Sequence, residues 1–436
     1  MRAKEIFLLI FIILAGVFIS MMYNGYFDFG FGWGEGFFFG YDEFDFEETE
    51  VIEPPFPAEL RIQNAHGSVE ILGSEENTIT VSFEKRIWRR NKEEAQEVAD
   101  RLKMIIKKDA QALNISTNRQ EFRRKNFDTH FFFAVPEGMN ITVVNTYGLV
   151  RAEKIGSADI TNRHGEVFAS DVRGELILLN SYDDVDVEHI ASGCKIEGIH
   201  SRVTAHDVGG TADISNSYGT IVVEEIAKAV TVRGPHCKVY GWDIFGGLDI
   251  ENSYEKIELS DVGPITIVGN HSPVEIDGAN GDINISNRYG KVRLKNIRGN
   301  VFVEGKNLGL SGNDVIGDRI TVSSTYQDIE LEDFAGNTSI SLAHGNIHLT
   351  PSPLTHPIEV KASHADIKLF WPEDSRYPIE AEARQGEIRW KLDSEVSFKK
   401  DNGVSLLKAF AEESGKPSIF LLTSYGTIWI ERSIIL

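Results

Sequence analysis

Four histidines, His164, His200, His236 and His271, follow one another at steps of 36, 36 and 35 residues, and His344 continues the series. Imidazoles at regular intervals suit two kinds of chemistry: metal ligation through a ring nitrogen, and protonation at mildly acid pH. Both need the rings to share one face of the fold. A metal site also wants a closed set of ligands, whereas a repeat delivers an open row. Tyrosine fills the same position in between, at Tyr147, Tyr182, Tyr218, Tyr254, Tyr289 and Tyr326, so a flat side chain capping a turn is the preferred reading. No metal, cofactor or catalytic role is assigned to the series.

Acidic residues raise a second question. In "SYDDVDVEHI", Asp183, Asp184, Asp186, Glu188 and His189 crowd together. Calcium takes six to eight oxygens, and a strand presents only alternate side chains on one face, so solvated acids are the better expectation. Enzymatic signatures are missing: there is no GxSxG, HExxH or phosphate-binding loop. Parallel β-helices do carry polysaccharide lyases and hydrolases, but those need paired carboxylates in a groove walled by long loops.

The elements that position these residues repeat. The Tyr or His position recurs every 17, 18 or 19 residues from Tyr147 to His344, with Asn307 taking one place, and a period near 18 signals a solenoid. Weaker copies stand at His364, Gln385 and Tyr425, and an isolated early one at His66. Each unit has two apolar clusters of alternating pattern, such as Ala212/Ile214 and Ile221/Val223, so two half-buried strands are predicted. A second turn reads "DVRG", "DVGG", "DVGP", "NIRG", "DVIG" or "DFAG", where glycine is expected to supply unusual backbone angles. Such units cannot bury an apolar face alone and must stack.

Two residues before the tyrosine stand Asn145, Asn180, Asn216, Asn252 and Asn287, with Ser324 last; before the histidine the place is mostly glycine, at Gly198, Gly234 and Gly269. Two arrangements fit. If like stacks on like, asparagines bond to each other and a coil spans two units. If a coil is one unit, each tyrosine covers a neighbour's glycine.

The net charge of −22 excludes a general nucleic-acid binder. Residues 1–23 hold an apolar run from Ile6 that is long enough to span a bilayer, preceded by Arg2 and Lys4 and followed by acids, so a transmembrane anchor with the body outside is expected; a cleaved signal segment is the rival. Residues 24–57, rich in Gly, aromatics and acids, read as a spacer. Residues 58–140 form a strand-helix-strand module that starts the solenoid, with an amphipathic helix from Asn91 carrying Ala95, Val98, Leu102 and Ile105 on one face. Basic residues around it, Lys85, Arg86, Arg89, Arg90, Lys107, Lys108, Arg123, Arg124 and Lys125, form a solvated face or a surface for anionic lipid. Residues 141–436 are the repetitive solenoid with a C-terminal cap. Cys194 points into the core and Cys237 follows His236, so a disulfide is not expected.

The stretch "FDTHFFFAVPEGMNITVVNTYGLVRAEKI", with its "VPEG" turn at Val135 to Gly138 and its first "NTYG" repeat, resembles the opening of the bacterial DUF4097 family, whose members are also labelled as adhesins. The likeness runs on to "TSYGTIWI" near Ile430. It implies a β-solenoid at the cell surface and carries over no catalytic residue. The expectation is an all-β, membrane-anchored solenoid in the bacterial cell envelope with its body extracytoplasmic, binding envelope polysaccharide or a surface protein without catalysis. A carbohydrate-active enzyme and an envelope scaffold or sensor are the alternatives.

Overall fold

The computed structural model describes residues 41–372, 376–410 and 418–432; the expected anchor at 1–23 and most of the spacer lie outside them. No helix among the described residues is long and apolar enough to cross a membrane. By contacts the chain divides into two units, Met1–Asp42 and Glu43–Leu436, and the solenoid belongs to the second.

Strand pairing settles the size of the coil. Ala158 pairs with Leu176, Leu176 with Cys194, Cys194 with Ala212 and Ala212 with Val230, all in parallel, so each step of 18 residues is one complete turn. From Asn140 to Trp371 the chain is a parallel β-solenoid of about 13 turns, and further coils extend the stack at both ends. At about 4.8 Å per coil this sequential part is roughly 60 Å long.

The coil at Ala212–Ser217 and Gly219–Ile226 shows how composition makes the rung. Ala212, Ile214, Ile221, Val223 and Ile226 point inward and are buried, while Asp213, Ser215 and Glu224 point outward. Each fully buried Val, Leu or Ile adds about 1.5–3 kcal/mol. The second corner departs from the expected turn chemistry. A positive backbone angle sits on the acidic residue, with Asp171, Asp207, Asp261, Asp314 and Asp333 at φ 47–53°. Of the closing glycines, Gly299 and Gly336 also have positive φ, at 159° and 153°, as expected, whereas others such as Gly174 and Gly210 serve another end. A Cβ on Gly174 would fall 2.1 Å from Ser157 Oγ, and one on Gly210 2.4 Å from Ser192 O. Glycine is needed there for space between coils.

Both ends depart from sequential order. The coil formed by Glu59–Gln63 and Val69–Ser74 lies between Asn140–Val144/Val150–Glu153 on one side and Ala112–Thr117/Phe127–Pro136 on the other. At the far end, Ile419–Thr423 and Thr427–Arg432 slot between Ile358–Trp371 and the pair Ile379–Arg384/Glu387–Lys391. A hairpin of Ser397–Asp401 and Val404–Ala409 runs antiparallel to Ile379–Arg384 and closes that end.

The N-terminal module corrects three expectations. Helix α1 spans Lys92–Arg101, capped by the Asn91 side chain, and buries Ala95 and Ala99. Ile105 is not on it: Met104–Lys108 is a strand antiparallel to Ala112–Thr117, because Met104, Ile105 and Ile106 gain more from a ladder than from another helical turn. Part of the expected spacer, Asp42–Ile52, is a strand beside Ile79–Arg89. Its acids face the basic residues. Lys85, 1% exposed, pairs with Glu48 and donates to Ala99 O at 2.9 Å, and Arg86 pairs with Glu43, Asp45 and Glu84. The basic patch is thus partly neutralised within the protein.

Candidate functional site

The Tyr/His corner residues form a ladder of stacked rings in two stretches. From His66 through Tyr147, His164, Tyr182, His200, Tyr218, His236, Tyr254 and His271 to Tyr289, ten rings lie with centroids 4.3–5.7 Å apart and planes inclined by 2–20°. Asn307 interrupts the stack, which resumes as Tyr326, His344, His364 and Tyr425. The early copy at His66 is therefore an integral end of the ladder. Because every coil is one unit, a tyrosine separates each pair of histidines from His66 to His271, so they form no set of neighbouring ligands. Burial holds the imidazole of His66 below the usual histidine range.

Ring faces cover one another, and ring edges meet solvent: Tyr218 is 50% exposed and Tyr254 54%. This limits what the ladder can bind, since a flat sugar ring stacks on a face and not on an edge. Holding the corner is itself costly. Tyr182, His200, Tyr218, His236, Tyr254 and His271 all have positive φ, a conformation that non-glycine residues rarely adopt. Stacking offsets that cost by about 0.5–1.5 kcal/mol per ring pair. Tyr218→Ala, which loses contacts at 5.0 and 4.7 Å and keeps the strained angle, is expected to destabilise by about 1–3 kcal/mol in urea unfolding. Tyr218→His should stay within about 1 kcal/mol of the parent protein, because the ring is retained.

Behind the ladder, the asparagines do not bond to each other. Each donates to a backbone carbonyl one coil back: Asn145 to Gly67, Asn162 to Gly148, Asn180 to Gly165, Asn216 to Ser201, Asn252 to Cys237 and Asn287 to Ser272, at 2.6–3.3 Å. The glycines make room for them. A Cβ on Gly198 or Gly269 would fall 2.8 Å from the Oδ1 of Asn216 or Asn287. It is the amide, and not the tyrosine ring, that occupies the space beside the glycine. Ser324 takes the same role with its hydroxyl, donating to Leu308 O at 2.8 Å.

Cys194 and Cys237 are free and buried, and burial pushes their thiols up to about 12 and about 11. Two shallow concavities stand out on the surface. One, of about 350 Å³, is lined by Glu137, Lys154, Asp171, Arg173 and His189; the other, of about 450 Å³, by Leu72, Phe132, Arg151 and neighbours. In the first, Arg173 pairs with Glu137.

These features define a parallel β-solenoid whose coils are pinned by buried amides and an aromatic corner. Residues 269–431 match the family model described as Toastrack DUF4097, which bears out the resemblance read from the repeats. No curated protein matches the chain. A solved structure of a candidate cell adhesion protein from Clostridium sporogenes is similar over 89% of this chain and 100% of its own, at 9% identity and a TM-score of 0.18, a score too low to say anything of this fold.

Proposed function

We propose that the protein is a non-catalytic envelope β-solenoid, tethered to the membrane by residues 1–23, that presents its outer faces to envelope polysaccharide or to a surface protein in the manner of an adhesin. The observation that carries this reading is the regularity of the coils. From Tyr147 to Tyr326 no coil is enlarged by a long loop, so no walls rise around the outward carboxylates. The family match over residues 269–431 agrees with it. The contact surface consists of the strand faces, where Ile177, Leu179, Ile199, Val268 and Phe302 stand exposed among polar residues. Such single apolar side chains in a polar field suit a long, weakly gripping interface more than a deep pocket.

The test uses the full-length protein in cells and purified. Protease added to intact cells is expected to cleave it, and the purified protein should co-sediment with isolated envelope polysaccharide or capture a defined surface protein without releasing new reducing ends. Protection from external protease, or steady release of reducing ends, would overturn the proposal.

A further inference from the structure

The left-handed second corner places two consecutive side chains outside. In an ordinary strand neighbours point to opposite faces. Here the positive φ of Glu225 (54°), Asp207 (50°) and His189 (53°) breaks the alternation, so Val223 and Ile226 are buried while Glu224 and Glu225 both face out. Three successive coils carry such pairs in register: Glu188-His189, His206-Asp207 and Glu224-Glu225.

What distinguishes the patch is that imidazoles face its carboxylates. Several outward acids elsewhere are met by a base from the same or an adjacent coil, as Asp213 by Arg233, Glu275 by Lys256, Asp277 by Lys295 and Asp314 by Arg298. Among the described residues no lysine or arginine pairs with Glu188, Asp207, Glu224 or Glu225. What faces the carboxylates instead is imidazole. His206 Nδ1 is sealed from solvent, makes no hydrogen bond, and lies 3.5 Å from Glu224 Oε2. His189 Nε2 lies 3.8 Å from Asp207 Oδ2, and the two imidazole rings are 6.2 Å apart.

We propose that His206, Glu224 and Glu225 form a binding site for a divalent transition metal of the zinc type. One donor atom from each lies within 4.8 Å of the other two. Metal–ligand bonds of about 2.0–2.2 Å in tetrahedral array need donors about 3.3–3.5 Å apart, so closure asks for a contraction of roughly 1–1.5 Å. The glutamates, which reach solvent, supply it by rotamer changes, and the backbone of three hydrogen-bonded coils stays fixed. The mixed nitrogen and carboxylate set favours zinc over calcium, which prefers six to eight oxygens. Three protein donors leave one coordination position for water.

The experiment titrates metal-free full-length protein with Zn²⁺ against a chromophoric chelator, alongside His206→Ala, Glu225→Gln and, two coils further along the same corner, Asp261→Asn. All three side chains reach the surface, and circular dichroism checks that each variant is folded. One equivalent of zinc is expected to bind, weakened at least tenfold by His206→Ala and by Glu225→Gln and unchanged by Asp261→Asn. Absence of a stoichiometric site would overturn the assignment. So would zinc binding indifferent to His206→Ala, or a Ca²⁺ response of equal strength that survives that change, since either reports only general attraction by acids.

Discussion

Asn252→Leu is expected to lower stability by about 3–5 kcal/mol, although leucine has nearly the same volume and the site is a core position. The Asn252 amide donates to Cys237 O at 3.1 Å and to Glu255 O at 3.2 Å, and its oxygen accepts from Ser253 N at 2.8 Å. The substitution leaves these main-chain groups without their partner in a place that is 4% exposed, and each orphaned group costs about 1–3 kcal/mol. Since coils touch only their neighbours, the loss should be local. Hydrogen exchange would show it as faster exchange in the coils at 230–262, with the coils near 160 unchanged. Uniform acceleration along the chain, or a change below about 1 kcal/mol in urea unfolding, would contradict the role given to the amide.

Gly317→Val is expected to cost about 3 kcal/mol or more. A Cβ on Gly317 would lie 2.1 Å from Gly299 O and 2.6 Å from Gly299 C, both of them backbone atoms that cannot step aside without parting two coils. Gly299 stands in the same relation to Gly281 O at 2.1 Å, so the strain has no slack to pass into. The control is Gly247→Ala. Nothing lies within 4 Å of its Cβ, and with a smaller loss of chain entropy the variant should match or exceed the parent by up to about 1 kcal/mol. Thermal unfolding of the two variants side by side measures the contrast.

Much of this architecture was legible in the residues. The 18-residue recurrence of Tyr147 to His344 marked the rungs, and the alternation in Ala212/Ile214 and Ile221/Val223 marked the strands. The number of units per coil was not legible, because both arrangements satisfy the same alternation and only the pairing of Ala158 with Leu176 decides. Helical spacing ran past Arg101 to Ile105 because a strand partner at Ala112–Thr117 is invisible to periodicity. The acids of 42–50 looked like a solvated spacer until their counter-ions on Ile79–Arg89 were placed beside them. In the metal-site patch, Glu188 and His189 were conspicuous within one acidic run, but their continuation at His206, Glu224 and Glu225 was not. That column exists only once the corner angle turns two neighbours outward.

The slotting of Ile419–Thr423 and Thr427–Arg432 between two earlier coils bears on how the molecule is made. A chain emerging from the ribosome can stack rung upon rung as it lengthens, but the gap between 358–371 and 379–391 stays open until residues 419–432 have been synthesised. Until then the growing protein carries an unfinished seam with bare strand edges. Strands 419–423 and 427–432 arrive as a keystone, so quality control that samples nascent chains would find any copy not yet extended past them open at this seam.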